Sequence, residues 1–153
     1  MAKITIESLD QLKAFAGNEV GVTDWLVISQ DRIDKFAEAT GDHQWIHIDR
    51  ERAQRESPYG TTIAHGFLTL SLVSYFIKEA LQLNGLRMAV NYGLNRVRFP
   101  SAVLADSNIR ARITLQSLKD VSDAVEATWL VTIESEGSSK PNCVAEWLTR
   151  YYR

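Results

Sequence analysis

The stretch HGFLTLSLVSYFIKEALQLNG, residues 65–85, carries no charge between His65 and Lys78 and is apolar on nearly every side. A helix of that kind is expected to be buried all round. Gly66 near its start and Gly85 past its end bracket it. The uncharged run from Gly66 to Ile77 is too short for a membrane span and contains Thr69, Ser71 and Ser74. It therefore predicts a core helix, with no membrane partner.

What encloses such a helix is written further along the chain. LRMAVNYGLNRVRF (86–99) is extended in character. In 108–116, Ile109, Ala111, Ile113 and Leu115 alternate with Arg110, Arg112, Thr114 and Gln116. In 125–134, Val125, Ala127, Trp129, Val131 and Ile133 alternate with Glu126, Thr128, Leu130, Thr132 and Glu134. NCVAEWLTRYY (142–152) closes the chain in the same manner. Clean alternation predicts strands with one wet face, and short connections favour antiparallel pairing. A helix followed by several such strands is an α+β pattern, and a helix without a polar side needs a sheet that curls about it.

Ahead of the helix, SLDQLKAFAG (8–17) has Ser8 and Gln11 at capping-box spacing and Gly17 as a stop. DWLVISQ (24–30) reads as a strand. Ser29 then caps a second helix, with Ile28 and Ile33 as a hydrophobic staple and Ile33, Phe36 and Ala37 as its buried stripe. Thr40-Gly41 ends it. TGDHQWIHID (40–49) follows in a loop, where chemistry is commonly grafted. DRERAQRES (49–57) predicts a short helical turn, broken by Pro58-Tyr59-Gly60.

The chain of 153 residues is long enough for one domain with a real core, and neither a linker nor a repeat divides it. The expectation is a single domain over 1–153. A net charge of −2 gives no reason to expect nucleic acid as a partner. The one cysteine, Cys143, excludes an intrachain disulfide and a cysteine-based zinc site, which fits a cytoplasmic protein. MAKITIESLDQLKAF has acids early and no apolar stretch, so no signal peptide is expected.

Three readings of residues 40–49 stay open on the residues alone. His43 and His47 are four apart, as in zinc proteases, but Gln44 stands where those sites need a glutamate, and Gly41 argues against a continuing helix. Asp49 and His65 are candidate third ligands. A plain reading makes Gly41-Asp42 a helix end and leaves the histidines solvated or satisfied. In an acid–base reading each part has a chemical role. Asp42 and His47 hold one water and move its protons, and His47 is suited to this near neutrality. Gly66, at the positive end of the central helix, offers a backbone N–H to a thioester carbonyl becoming an enolate.

ATGDHQWIHID (39–49) resembles the hydratase motif of the MaoC-like family, which includes the (R)-specific enoyl-CoA hydratases and the nodulation protein N group. Gly41, Asp42, Ile46 and His47 match at the family spacing, and Gln44-Trp45 replace the usual Asn-Pro, as in the nodulation protein N branch. IAHGFLTLSLVSYF (63–76) and NYGLNRVRFPSAV (91–103) are similar to the family's central helix and following strand. The resemblance implies a hot-dog fold and a hydro-lyase adding water to trans-2-enoyl thioesters. It implies Asp42 and His47 as the catalytic pair, Gly66 as the carbonyl-binding amide, and Ser74 and Asn95 as further substrate-binding residues. It implies no cofactor and no metal, an acyl-CoA or acyl carrier protein thioester as substrate, and a homodimer. Two other classes remain: a hot-dog thioesterase, disfavoured because the central helix has no acid before Glu79, and a non-catalytic thioester-binding domain.

Overall fold

The computed structural model describes residues 2–153. Both helix caps anticipated above are formed. Ser8 Oγ accepts from Gln11 N at the start of α1 (Leu9–Lys13), and Ser29 Oγ accepts from Arg32 N at the start of α2 (Gln30–Thr40). Gln11 reaches back one residue further than a capping box requires, to Glu7 N. Ile28 and Ile33, the proposed staple, are both buried. Gly41 closes α2 in the left-handed region with φ of 78°, a conformation that costs little without a Cβ.

Residues 40–49 are less of a loop than expected. After 41–44 the chain makes one turn of helix, α3 (Trp45–Ile48), and then α4 (Arg50–Glu56). Asp49, a candidate metal ligand from its spacing, instead caps α4 by accepting from Arg52 N.

The central helix corrects its expectation in two respects. It is two helices, α5 (Gly66–Ser71) and α6 (Val73–Ala80), joined at Leu72. Ser71 Oγ donates to the Leu68 carbonyl at 2.7 Å, and Leu72 N is shared between the carbonyls of Leu68 and Thr69 at 3.3 Å each. Hydroxyls that compete for helix carbonyls in this way bend the helix. Nor is it buried all round. Leu68, Leu72, Val73, Phe76, Ile77 and Ala80 face the core, but Phe67 is 72% exposed and Tyr75 41%.

The strands are β1 (Ile4–Ile6), β2 (Asn18–Val22), β3 (Leu26–Ile28), β4 (Leu81–Leu83), β5 (Met88–Arg98), β6 (Ser107–Val121), β7 (Ala124–Ser135) and β8 (Cys143–Tyr152). The main sheet runs β2-β6-β7-β8-β5, with β3 also on β6, and its pairs are antiparallel. β1 and β4 pair in parallel as a separate small sheet, which periodicity did not foretell. The inner face read in β6 and β7 holds: Ile109, Ala111, Ile113, Leu115, Val125, Ala127, Trp129, Val131 and Ile133 are all fully buried. On the other face Glu126, expected to be wet, is 5% exposed and paired to Lys119 and Arg150. They line the concave face that holds α5 and α6, with Trp129 Nε1 donating to Thr149 Oγ1 at 3.0 Å. A curved antiparallel sheet around a central helix is the α+β hot-dog fold.

Candidate active site

The segment 62–66 enters the core ahead of α5 and is tied down on both sides. Ala64 N donates to Val103 O and Ala105 N to Thr62 O. On the other side Ile63 N donates to Ile46 O at 3.0 Å. This brings α3 against the start of α5, so residues nearly twenty apart in sequence meet. His47 is 6% exposed and His65 is 2% exposed.

The sequence-predicted pair comes together here, with a third member. A carboxylate oxygen of Asp42 and one ring nitrogen each from His47 and His65 lie within 4.8 Å of one another. His47 Nδ1 meets the Ile63 carbonyl at 2.7 Å. A carbonyl only accepts, so Nδ1 carries the proton and, in the neutral ring, Nε2 keeps the lone pair. Burial holds the His47 imidazole below its ordinary value of 6.5, and the nearby His65 pushes the same way. The Ile63 carbonyl and the Asp42 carboxylate pull in the opposite direction. His47 is thus kept as a neutral base near neutrality.

The same cluster bears on the metal reading. The rings of His47 and His65 stack with centroids 3.8 Å apart and planes 22° from parallel. Ring lone pairs lie in the ring planes, so two stacked rings do not aim their nitrogens at one point between them. Stacked in this way, the two rings are poorly disposed for joint coordination. A carboxylate and an imidazole at this separation can hold a single water between them.

Gly66 is the first residue of α5, and its amide has no acceptor a turn earlier in its own helix. A Cβ built on it would meet only the Phe99 ring, at 3.5 Å. Ser74 is further along, in α6, where it lines a groove of about 320 Å³ between α6 and β5 with Ile77, Leu81, Asn91, Trp147 and Tyr151. A second hollow lined by Phe67, Leu70 and Leu94 adjoins it, sharing Ser74, Asn91 and Trp147. Asn95 is not brought to the cluster. It sits at the bulge of β5 between Leu94 and Arg96, is exposed, and makes no hydrogen bond to Asp42 or His47. The asparagine that faces the groove is Asn91, whose Oδ1 accepts from Trp147 Nε1 at 2.8 Å.

Sequence reading missed Gln30. Its Nε2 donates to the His47 carbonyl at 2.7 Å and its Oε1 accepts from Thr62 Oγ1, so one side chain pins α2, α3 and the 62–66 segment together. A glutamine at a helix start has no period or motif that would mark it. His43 is half-exposed beside Glu38, with 3.7 Å between Nε2 and Oε1. Arg110 and Arg112 are ion-paired to Glu134, and Arg110 lies over the exposed Trp25. Their charges are satisfied within the sheet.

Comparison with known proteins gives the family. The model of the MaoC like domain matches residues 12–136. The chain belongs to the MaoC-like family. It is 49% identical to 3-hydroxyacyl-thioester dehydratase Z of Mycobacterium tuberculosis, over 96% of this chain and 97% of the relative. It is 42% identical to nodulation protein N of Rhizobium leguminosarum bv. viciae, over 93% of this chain and 89% of that one. An R-hydratase from Pseudomonas aeruginosa shares the fold, with a TM-score of 0.72 at 18% identity over 90% of this chain and 82% of its own. This MaoC-like protein is a hydro-lyase. Among the described residues, no helix is long and apolar enough to cross a membrane.

Proposed function

We propose that this MaoC-like protein, acting as a single domain over 1–153, adds water to trans-2-enoyl thioesters to give (R)-3-hydroxyacyl thioesters. In reverse it dehydrates the hydroxyacyl compound. The observation that carries the reading is the meeting of Asp42 with His47 at His65, the residue before Gly66, with His47 Nδ1 committed to the Ile63 carbonyl and Nε2 free. The thioester carbonyl accepts from the Gly66 amide. A water held between Asp42 and His47 attacks the β-carbon, and electron density moves from the double bond towards the thioester oxygen. The proton lost by the water is taken by the pair, and the pair delivers a proton to the α-carbon from the same side. One O–H is thereby added across one C=C. The (R) configuration is what the family resemblance implies. The groove past Ser74 takes the acyl chain, and Asn95 stands outside this set.

The carrier is coenzyme A or an acyl carrier protein, and the reading needs no cofactor. A buried, unpaired Cys143 supports a reducing, cytoplasmic setting. A homodimer is proposed through β5, whose outer edge is unpaired and which exposes Met88, Val90, Tyr92 and Leu94. Antiparallel pairing centred on Gly93 sets Arg96 and Arg98 opposite Val90 and Met88 of a second copy, so like charges do not face each other. A stable, active monomer in sedimentation at micromolar concentration removes the dimer.

Crotonyl-CoA tests the reaction. A hydratase removes the conjugated enoyl absorbance without releasing thiol. Release of free CoA indicates a thioesterase, and neither change indicates a binding domain.

A further inference from the structure

We infer that His65 is the positioning residue of the site, holding Asp42 by its backbone carbonyl and His47 by ring stacking. This rests on the reading of Asp42 and His47 as the acid–base pair. His65 lies between two rings: it stacks on His47, with centroids 3.8 Å apart at 22°, and meets Phe36 at a tilt, 4.9 Å away at 53°. His65 is almost wholly buried between them, at the residue before α5, and caps nothing with its side chain. Its one hydrogen bond goes elsewhere. Nε2 meets the backbone carbonyl of Asp42 at 3.0 Å, so Nε2–H donates. Its Nδ1 has no partner among the described residues. A ring with one nitrogen committed and the other facing nothing is no link in a proton chain. It is held by a single donor and two faces, and through them it sets where other groups lie.

What it sets is the geometry of the pair. The 41–44 loop has few other restraints: Gly41 N donates to Ala37 O at its start, and Gln44 N reaches Asp42 Oδ1 at 3.3 Å. Asp42 itself is exposed, so packing does not fix its carboxylate. The hydrogen bond from His65 is the tie between that loop and the α5 end of the site. On the opposite side His47 is held by Ile63, by Gln30 and by the His65 ring. His65 is the residue that touches both.

Two substitutions separate this from a packing role. H65Q keeps an N–H that reaches the Asp42 carbonyl, whereas H65L keeps bulk and removes the donor. In H65L, kcat for crotonyl-CoA should fall by about 10²-fold, with KM within about threefold of wild type, because a small misplacement of reacting groups costs turnover first. H65Q should recover most of that loss. The titratable groups facing His47 are Asp42 from the 41–44 loop and His65, with the uncharged Gln30 contributed by α2. H65Q removes the neighbouring ring that helps hold the His47 value down, so the acid limb of kcat/KM should move to higher pH. H65L turnover within about threefold of wild type, or H65Q as poor as H65L, overturns the inference. Ring ¹⁵N spectra give a readout that needs no turnover. Wild type should show the His65 proton on Nε2 and the His47 proton on Nδ1, and H65Q should raise the His47 titration. Protons on the other nitrogens, or an unmoved His47 titration, overturn the inference. If the wild type leaves crotonyl-CoA unchanged, the acid–base reading falls, and the spectra still decide what His65 holds.

Discussion

β8 has two neighbours of similar length and opposite character. β7 lies on one side of it, is itself paired to β6 on its other edge, and has its whole inner face fully buried. β5 lies on the other side, is paired along one edge only, and is exposed over most of its length. On the β7 side the core is closed, with α6 packed on β6. The β5 side leaves a groove along α5 and α6 that reaches Phe67 in the first turn of α5, and Phe99, just past β5, lies against Gly66. One half of the sheet therefore accounts for stability and the other half leaves room for a substrate. Substitutions on the two sides should separate stability from turnover.

The largest expected effect is at the Asp42–His47 cluster, which neither half of the sheet supplies. Asp42→Asn and His47→Gln keep size and remove proton chemistry, and each should lower hydration by ~10²–10⁴-fold with little change in melting temperature. Near wild-type turnover in either variant means that its residue is not catalytic. On the closed side, Trp129→Ala should cost about 3–5 kcal/mol in stability, seen as a lower denaturant midpoint. Turnover per folded molecule should hold. A Trp129→Ala protein that is stable but inactive would erase the division between the two sides.

Gly66→Ala tests the junction. The added methyl would make ordinary contact with Phe99, and no positive φ is needed there, so the fold should be kept. Displacing a carbonyl from a preorganised donor costs roughly 2.7–4 kcal/mol in the barrier. Melting temperature and crotonyl-CoA turnover measured on one sample decide it. Loss of stability with unchanged turnover would make Gly66 a packing residue.

The smallest effect is the pH dependence of stability. The folded His47 is harder to protonate than the unfolded chain, whose histidine titrates near 6.5. The unfolded state therefore binds more protons as pH falls below that value. Stability present above pH 6.5 should be lost progressively towards the lower folded value. Urea midpoints across this range should show the slope in wild type and a shallower one in His47→Gln. The acid limb of kcat/KM should likewise lie below the ordinary histidine value.

Legibility followed the range of the interaction. Caps at Ser8 and Ser29 were visible because a hydroxyl bonds an amide three residues on. The alternation of β6 and β7 was visible because successive side chains of a strand point to opposite faces. Asp42 and His47 stood out through a short motif, and a resemblance supplied their roles. The expectation for the central helix failed at Phe67 and Tyr75 because an apolar residue looks the same whether a sheet covers it or a groove leaves it open. Asn95 came from the resemblance alone, and strand periodicity could not place it because the bulges of β5 shift which residues share a face.

The sequence by itself determined the local elements, the α+β class and the presence of an aspartate and a histidine five residues apart behind a helix end. Only the tertiary structure decided what those side chains do to one another. The proton on His47 is placed by a carbonyl sixteen residues away, Asp42 is held by a histidine twenty-three away, and Gln30 pins His47 from seventeen away. Such partners leave no period in the chain, because long-range hydrogen bonds depend on where the backbone returns in space and not on spacing along it.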